Sequence, residues 1–506
     1  MAGILRKLAG ETAIYGLSTI LARMINFFFV PIYTRVLTQG SYGSYTEIMS
    51  YIAVLQVVLV LGLETGCFKF ANGIKNGGGS QKDSFAPFSS AFLMVCGVSL
   101  LFFAVIAMFA APLSDFIGCQ SYRAVIYFVA GILVSDSITA VLFAKLRYEQ
   151  KAVKFALFKT IKIVSETGFN LLLFFFFPGW AAARQGSWLL ELIPAEPHFS
   201  YIILAVFLSC VVCFLLFIPE LFRISLKFDR KLAGQMLLYS IPLMVAGLPG
   251  IINDGLDRLL FRFFSPEGGD WRATLGVYQA AVKLAVIMNL FIQMFRYAAE
   301  PFFFAREREK NSKELYAKVM EYFVAFCMFI FLGVLLYMDL LGLILGRDFR
   351  GALGTVPFML FSYMLLGILF NVSMWYKLSG HTKFAVNITL SGLAVTAVIN
   401  MTLMPYFSYW ASVAAHLLSA LVMLLYSLRL GNKYYPVPYR WRRIMEYIAA
   451  AIVILLAVKG AVFVATDTAD LAPAWSWIIK MGLGTAGIVA YAAFVYFKNR
   501  NLRLIP

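Results

Sequence analysis

The stretch STILARMINFFFVPIYTR, residues 18–35, decides the class of this chain. It is apolar, and at ~20 residues such a run crosses a bilayer as a helix. Arg23 nevertheless lies in its middle. A charge at the bilayer centre costs about 2.5–3.5 kcal/mol on insertion scales. A span that keeps one faces protein or a water-filled cavity rather than lipid on that side.

The rest of the chain has the same character. It is 61% hydrophobic and 14% charged, with 48 Phe among 506 residues, and its mean hydropathy is +0.81. Soluble domains average about 25% charged residues, so this is an all-α polytopic membrane protein. Fourteen transmembrane helices are expected near 12–33, 45–63, 88–111, 125–144, 157–177, 200–219, 235–262, 275–298, 319–344, 353–375, 384–404, 410–430, 447–465 and 476–497. The first apolar run is too long for a signal-peptide core and reads as an uncleaved span. With the N-terminus placed in the cytoplasm, cytoplasmic segments carry more than four times as many Lys and Arg as the opposite loops. This bias orients the chain with both termini cytoplasmic. The net charge of +17 is then mostly a topology signal, and nucleic acid is not an expected partner. Cys210 and Cys213 form a C-x-x-C inside an apolar helix without partner ligands, so they are read as packing residues. No metal or cofactor is expected.

A weak repeat runs through the sequence at an offset of about 230 residues. IYG at 14–16 resembles LYS at 238–240, and GSY at 43–45 resembles GVY at 276–278. The segment starting at Lys154, KFALFKTIKIVSETGFNLLLF, resembles KFAVNITLSGLAVTAVINMTLM from Lys383, with Asn170 and Asn400 aligned. The expected organisation is an N-lobe of six spans (1–219), a cytoplasmic linker (220–234), a C-lobe of six spans (235–430), and two added spans with a tail (431–506). Six is even, so the lobes are parallel copies, as in transporters that rock about a central site.

Polar residues at membrane depth concentrate on matching spans. Tyr15, Thr19, Arg23 and Asn26 share one face of the first. The seventh carries Asp254, Asp257, Arg258 and Arg262, and Pro242 and Pro249 are expected to kink or unwind it. Tyr278, Gln279, Lys283, Asn289, Gln293, Arg296 and Glu300 form a stripe on the eighth. Competing structural readings exist. Asp254 and Arg258 can pair at i, i+4; Arg258, Arg262, Lys459 and Lys480 can snorkel to headgroups; Lys162 and Glu166 can pair along one helix. Arg23 and Lys283 have no acid at i±3 or i±4 and are read as functional. Asp136 is either interhelical glue or an ion-coupling group, and Asp254 and Asp257 join it as coupling candidates.

Three stretches carry a family resemblance: ETAIYGLSTILARMINFFFVPIYTRVLTQGSYGSYTEIMSYIAVL at 11–55, DGLDRLLFRFF at 254–264 and GVYQAAVKLAVIMNLFIQMFRYAAEPFF at 276–303. They resemble the bacterial polysaccharide flippases of the multidrug/oligosaccharidyl-lipid/polysaccharide exporter superfamily. The resemblance implies a flippase, not an enzyme. It would carry undecaprenyl-pyrophosphate-linked oligosaccharide from the cytoplasmic to the periplasmic leaflet of the bacterial inner membrane, for O-antigen, lipopolysaccharide or capsule synthesis. Its implied partners are that substrate, membrane lipids, a coupling ion (H+ or Na+) and the polysaccharide polymerase machinery. Cavity cations would hold the pyrophosphate head, here Arg23, Arg258 and Lys283, with Arg296 nearer the cytoplasmic mouth. Tyr15, Tyr45 and Tyr278 would meet the sugars, with Asn26 and Gln279 on the same faces.

The alternatives are a MATE-like exporter of small cationic compounds, which should have an acidic cavity, and a lipid II flippase of the same superfamily. A membrane enzyme would need paired catalytic groups at the surface, and the longest outer loop offers only Glu191, Glu196 and His198. An ATP-driven pump would need a phosphate-binding loop, and no G-x-x-x-x-G-K-[ST] occurs.

Overall fold

Helix is what the bilayer demands, because only helices or closed barrels satisfy every backbone polar group in hydrocarbon. The computed structural model describes residues 24, 25, 27–76, 83–184, 187–222, 227–307, 309, 311–467 and 473–500. Among these, every regular element is helical, and thirteen helices are long and apolar enough to cross a membrane. They cover the second to fourteenth expected spans; the first, near 12–33, falls mostly outside the described residues.

The helices used below are α1 (Val30–Val36), α2 (Gln39–Val60), α3 (Leu63–Asn76), α4 (Ala86–Met108), α5 (Ala124–Tyr148), α6 (Ala152–Leu171), α7 (Phe199–Leu216), α8 (Arg230–Phe264), α9 (Trp271–Ala305), α10 (Ser312–Leu336), α11 (Val356–Leu378), α12 (Lys383–Phe407), α13 (Tyr409–Tyr434), α14 (Trp441–Asp467) and α15 (Pro473–Arg500). The chain divides into two compact units. One takes residues up to Phe29 and Val36–Gly276; the other takes Val30–Arg35 and everything from Val277.

In the first unit, α2 starts on Thr38, whose side chain accepts from the Ser41 N–H at 3.2 Å. It stops at Leu61 and Gly62, both left-handed (φ 55° and 66°). A Cβ on Gly62 would stand 2.7 Å from the Ser240 carbonyl oxygen, so the break needs glycine. The chain then re-enters helix as α3, where the sequence suggested the beginning of a loop. Helix α8 packs on α2, α3 and α4, which carries this unit in sequence past the expected linker at 220–234 to Gly276. Pro242 and Pro249 both lie inside α8, which stays helical through them rather than unwinding. Two apolar clusters form the core. One gathers Leu63, Phe88, Phe143, Phe158 and Phe217, with Phe217 edge-on to Phe143 and Phe158 at 4.8 and 4.9 Å. The other gathers Ile48, Ile52, Val125, Ile132, Phe199 and Cys210.

In the second unit, α11, α12 and α13 pack together and α10 packs on α14 and α15. Trp375 donates to the Ser427 hydroxyl at 3.2 Å and stacks on Tyr434 at 5.8 Å. The Thr34 hydroxyl of α1 accepts from the Gly346 N–H at 3.0 Å, and a Cβ on Gly346 would lie 1.9 Å from the Thr34 carbonyl oxygen. The aligned Asn170 and Asn400, one in each unit, are both buried and make the same bond, each donating to the carbonyl four residues back at 2.9 and 2.8 Å.

Candidate substrate and ion site

Two polar clusters sit inside the first unit. The first joins α2 and α8. Arg262 donates from Nε to Glu47 Oε1 at 2.8 Å and from Nη2 to Oε2 at 3.0 Å. Its guanidinium also lies over Phe116 at 4.0 Å and Trp271 at 4.7 Å. Glu47 is fully buried, and the two-pronged geometry is the one that best offsets the burial of a carboxylate. Arg262 is therefore a structural tie rather than the headgroup anchor that its place near a helix end suggested. One turn back, Arg258 donates to the Asp254 carbonyl at 2.8 Å and to the Ser50 hydroxyl at 3.4 Å, and its Nε lies 3.9 Å from Asp257 Oδ1. The i, i+4 contact expected between Arg258 and Asp254 is thus made to backbone, while the Asp254 side chain is exposed and Asp257 is fully buried.

The second cluster joins α5, α6 and α7. Lys162 Nζ lies 2.5 Å from Asp136 Oδ1, and the Cys210 thiol donates to the same oxygen at 3.4 Å. The expected partner of Lys162 was Glu166 on its own helix; the structure pairs it across to α5 instead. Glu166 remains within electrostatic reach of both Lys162 and Asp136. Lys159, one turn back along α6, places its ammonium 4.3 Å from the Phe143 ring centre. Tyr45 on α2 is within electrostatic reach of Glu166 in this cluster and of Arg258 in the other. Of the predicted residues, Asp136 thus lies in the second cluster and Tyr45 within electrostatic reach of both, while the first cluster brings Arg258 and Asp257 together. It also holds Glu47, which the sequence reading passed over; an acid in the apolar run of α2 was the available signal.

The remaining predicted residues are placed by the second unit. Tyr278 is fully buried, its hydroxyl 3.9 Å from the Met359 sulfur and its ring stacked on Tyr409 at 5.9 Å. This is a packing position rather than a ring face open to sugar. Gln279 is buried beside it and Lys283 is half-buried one turn on. Arg296 is exposed, its guanidinium 4.9 Å from the Phe370 ring centre. Glu300 pairs with Lys377 at 2.5 Å, and Lys480, expected to snorkel, pairs with Asp339 at 2.9 Å. Arg23, Tyr15 and Asn26 lie outside the described residues. Among the described residues, no group of three or more His, Cys, Asp or Glu side chains is arranged to hold a metal ion.

The model of a family described as polysaccharide biosynthesis protein matches residues 8–307. The chain belongs to that family. No curated protein matches it by sequence. Its fold resembles the lipid II flippase MurJ in an inward closed conformation, with TM-score 0.69 and 11% identity over 95% of this chain and 98% of that one. It also resembles the Vibrio cholerae MATE transporter VcmN, with TM-score 0.53 and 9% identity over 85% and 97%. The chain is thus a multi-pass membrane protein of the polysaccharide biosynthesis family, with the fold of these solved structures.

Proposed function

We propose that this protein is a flippase for a lipid-linked oligosaccharide, carried on undecaprenyl pyrophosphate, moving it from the cytoplasmic to the periplasmic leaflet by alternating access. The observation that carries the reading is the match to the polysaccharide biosynthesis family over residues 8–307, joined to a fold like that of a lipid II flippase along nearly the whole chain. In this reading both termini are cytoplasmic in a bacterial inner membrane. Arg258, Lys283 and Arg23 hold the pyrophosphate, and Arg296 receives it at the cytoplasmic mouth. Asp136, Asp254 and Asp257 are the candidate coupling acids for H+ or Na+, and the polymerase machinery takes the product.

The reading is tested in vesicles loaded with undecaprenyl-pyrophosphate oligosaccharide, by counting the glycan that becomes accessible on the far leaflet. Lys283→Ala and Arg23→Ala should each lower transport at least tenfold at unchanged protein level, and Arg23→Lys should retain part, because Lys offers a point charge where Arg offers a fork. Wild-type transport in both alanine variants would refute the assigned binding residues. No transport by the wild-type protein under any ion gradient would refute the function. One observation favours the MATE-like alternative: Asp254 is an exposed acid beside Arg258 on α8. Export of a small cation that Asp254→Asn abolishes would support that reading instead.

A further inference from the structure

A concavity lies inside the first unit, lined by none of the cations assigned above. The C-terminal ends of α3 and α5, the turn after α5 and the segment before α4 enclose a cavity of about 900 Å³. Lys75, Arg147 and Lys151 line it, with Glu149 as the one carboxylate among its lining residues. The two local carboxylates are already engaged. Arg147 Nη2 meets Glu64 at 2.5 Å and Lys151 Nζ meets Glu149 at 2.6 Å, while Lys145 approaches Glu149 to 3.8 Å. Positive charge is therefore left in excess around the cavity.

Besides Glu149 Oε2, which Lys151 meets as an ion pair, two polar atoms of the lining residues are shielded from solvent and have no hydrogen-bond partner among the described residues: Arg147 Nε and the Tyr148 hydroxyl. Both are donors. The wall beside them is aromatic. Tyr148 packs against Phe68, Phe85 and Phe88 with ring centres 6.2, 6.0 and 5.3 Å away. The turn itself is held in a costly shape. Gln150 has φ 56°, fixed by bonds from Gln150 N to Arg147 O (3.1 Å) and from Lys151 N to Leu146 O (3.0 Å). A non-glycine residue in this region marks a turn that its surroundings over-determine, and such turns cluster at ligand clamps.

Basic residues at a helix end usually record topology alone. That reading accounts for the charges but not for their convergence on a concave, aromatic-walled space with two buried donors left over. We propose that this cavity binds a phosphate ester carrying a ring or sugar, with Arg147, Lys75 and Lys151 on the phosphate and the aromatic wall against the ring. A bare phosphate would fill only a small part of the space. The ligand chemistry has two sources: a lipid headgroup from the adjoining leaflet, or a free sugar phosphate. The proposal does not depend on the flippase reading, because it concerns different residues and a binding measurement.

The test uses the full chain in phosphatidylcholine nanodiscs. Glucose 1-phosphate is titrated calorimetrically, and retention of phosphatidylinositol is measured by native mass spectrometry in discs that contain it. The variants are Lys75→Gln/Lys151→Gln, Tyr148→Phe and, as a control outside the cavity, Lys433→Gln. The double variant should weaken one of the two probes at least tenfold and Tyr148→Phe the same probe a few-fold, with Lys433→Gln unchanged. Loss confined to glucose 1-phosphate assigns the free ester; loss confined to phosphatidylinositol assigns the headgroup. Should the double variant fail to fold, Lys75→Gln alone, at an exposed position, gives the same reading with a smaller loss. Equal binding by wild type and cavity variants, or no binding of either probe by wild type, overturns the proposal.

Discussion

Asp136 can be glue or a coupling group, and its geometry lets the two be separated. Its carboxylate is 2.5 Å from Lys162, with side chains 21% and 16% exposed. Removing one partner of a buried pair costs about 3–5 kcal/mol, whereas replacing both with apolar residues of similar size is often near neutral. The neighbours refine these limits. In Lys162→Met, Asp136 still feels Lys159, so the loss should sit near the low end, about 3 kcal/mol. In Asp136→Asn, Lys162 can turn to Glu166, which is already within electrostatic reach, and the loss should again be about 3 kcal/mol rather than 5. The double variant Asp136→Asn/Lys162→Met should recover most of it, leaving a loss of about 1 kcal/mol and hence a coupling energy of about 5 kcal/mol in a double-mutant cycle. Unfolding in mixed micelles measures the cycle, and vesicle transport is read beside it. If stability and transport return together, the pair is glue. If stability returns while the dependence on an ion gradient does not, Asp136 couples. Losses below about 1 kcal/mol in both single variants would refute the pairing argument, because the pair would then be behaving as an exposed surface bridge.

Four further outcomes follow from the same structure. Glu47→Gln should destabilise the protein by about 3–5 kcal/mol by stranding Arg262, and Glu47→Gln/Arg262→Met should recover most of that in the same micelle assay. Gly346→Ala should cost about 1–3 kcal/mol as an overpacking change, since its new Cβ would lie 1.9 Å from the Thr34 carbonyl oxygen; a thermal shift within error would refute that close approach. His198, which caps α7 by accepting from the Ser200 N–H at 3.4 Å, is pushed by burial from 6.5 down to about 4. The unfolded chain therefore takes up the proton first on acidification. This contribution should be complete above pH 6.5 and fade as pH falls from 6.5 to about 4, and His198→Asn, which keeps a cap acceptor, should flatten that part of the curve. Burial pushes the Glu220 carboxyl up, but Lys154, Lys151 and Lys145 more than offset this and hold it below 4.5; its stabilisation should be present above pH 4.5 and lost below it, and Glu220→Gln should remove that acid limb of the melting curve.

What was legible in the sequence was what the bilayer enforces. A span must be apolar for about twenty residues, and thirteen of the expected spans coincide with long helices of the structure. Hydropathy records contact with lipid, however, not helicity. It ended the second span near residue 63, although Leu63, Cys67 and Ala71, spaced by four, are all fully buried on one face of α3. That amphipathic spacing was present in the sequence and is the better signal for a helix end packed in protein. The partners of the deep charges were not legible in the same way. A sequence offers neighbours at i±3 and i±4, which is why Lys162 was matched with Glu166 and Asp254 with Arg258. The contacts that form are set by helix packing: Asp136 is 26 residues from Lys162, and Glu47 is 215 from Arg262.

The packing makes the cost of a charge at membrane depth a question of neighbours rather than of depth. Arg262 is met by Glu47, Lys162 by Asp136, and Lys159 and Arg296 each lie over an aromatic ring. Each of these contacts fixes one helix against another, so the same charges that would be expelled from lipid select which helices pack together. Arg258 differs in the kind of contact it makes. Its guanidinium donates to the Asp254 carbonyl on its own helix and to the Ser50 hydroxyl of α2, and stands 3.9 Å from the Asp257 carboxylate, so it too joins α8 to α2.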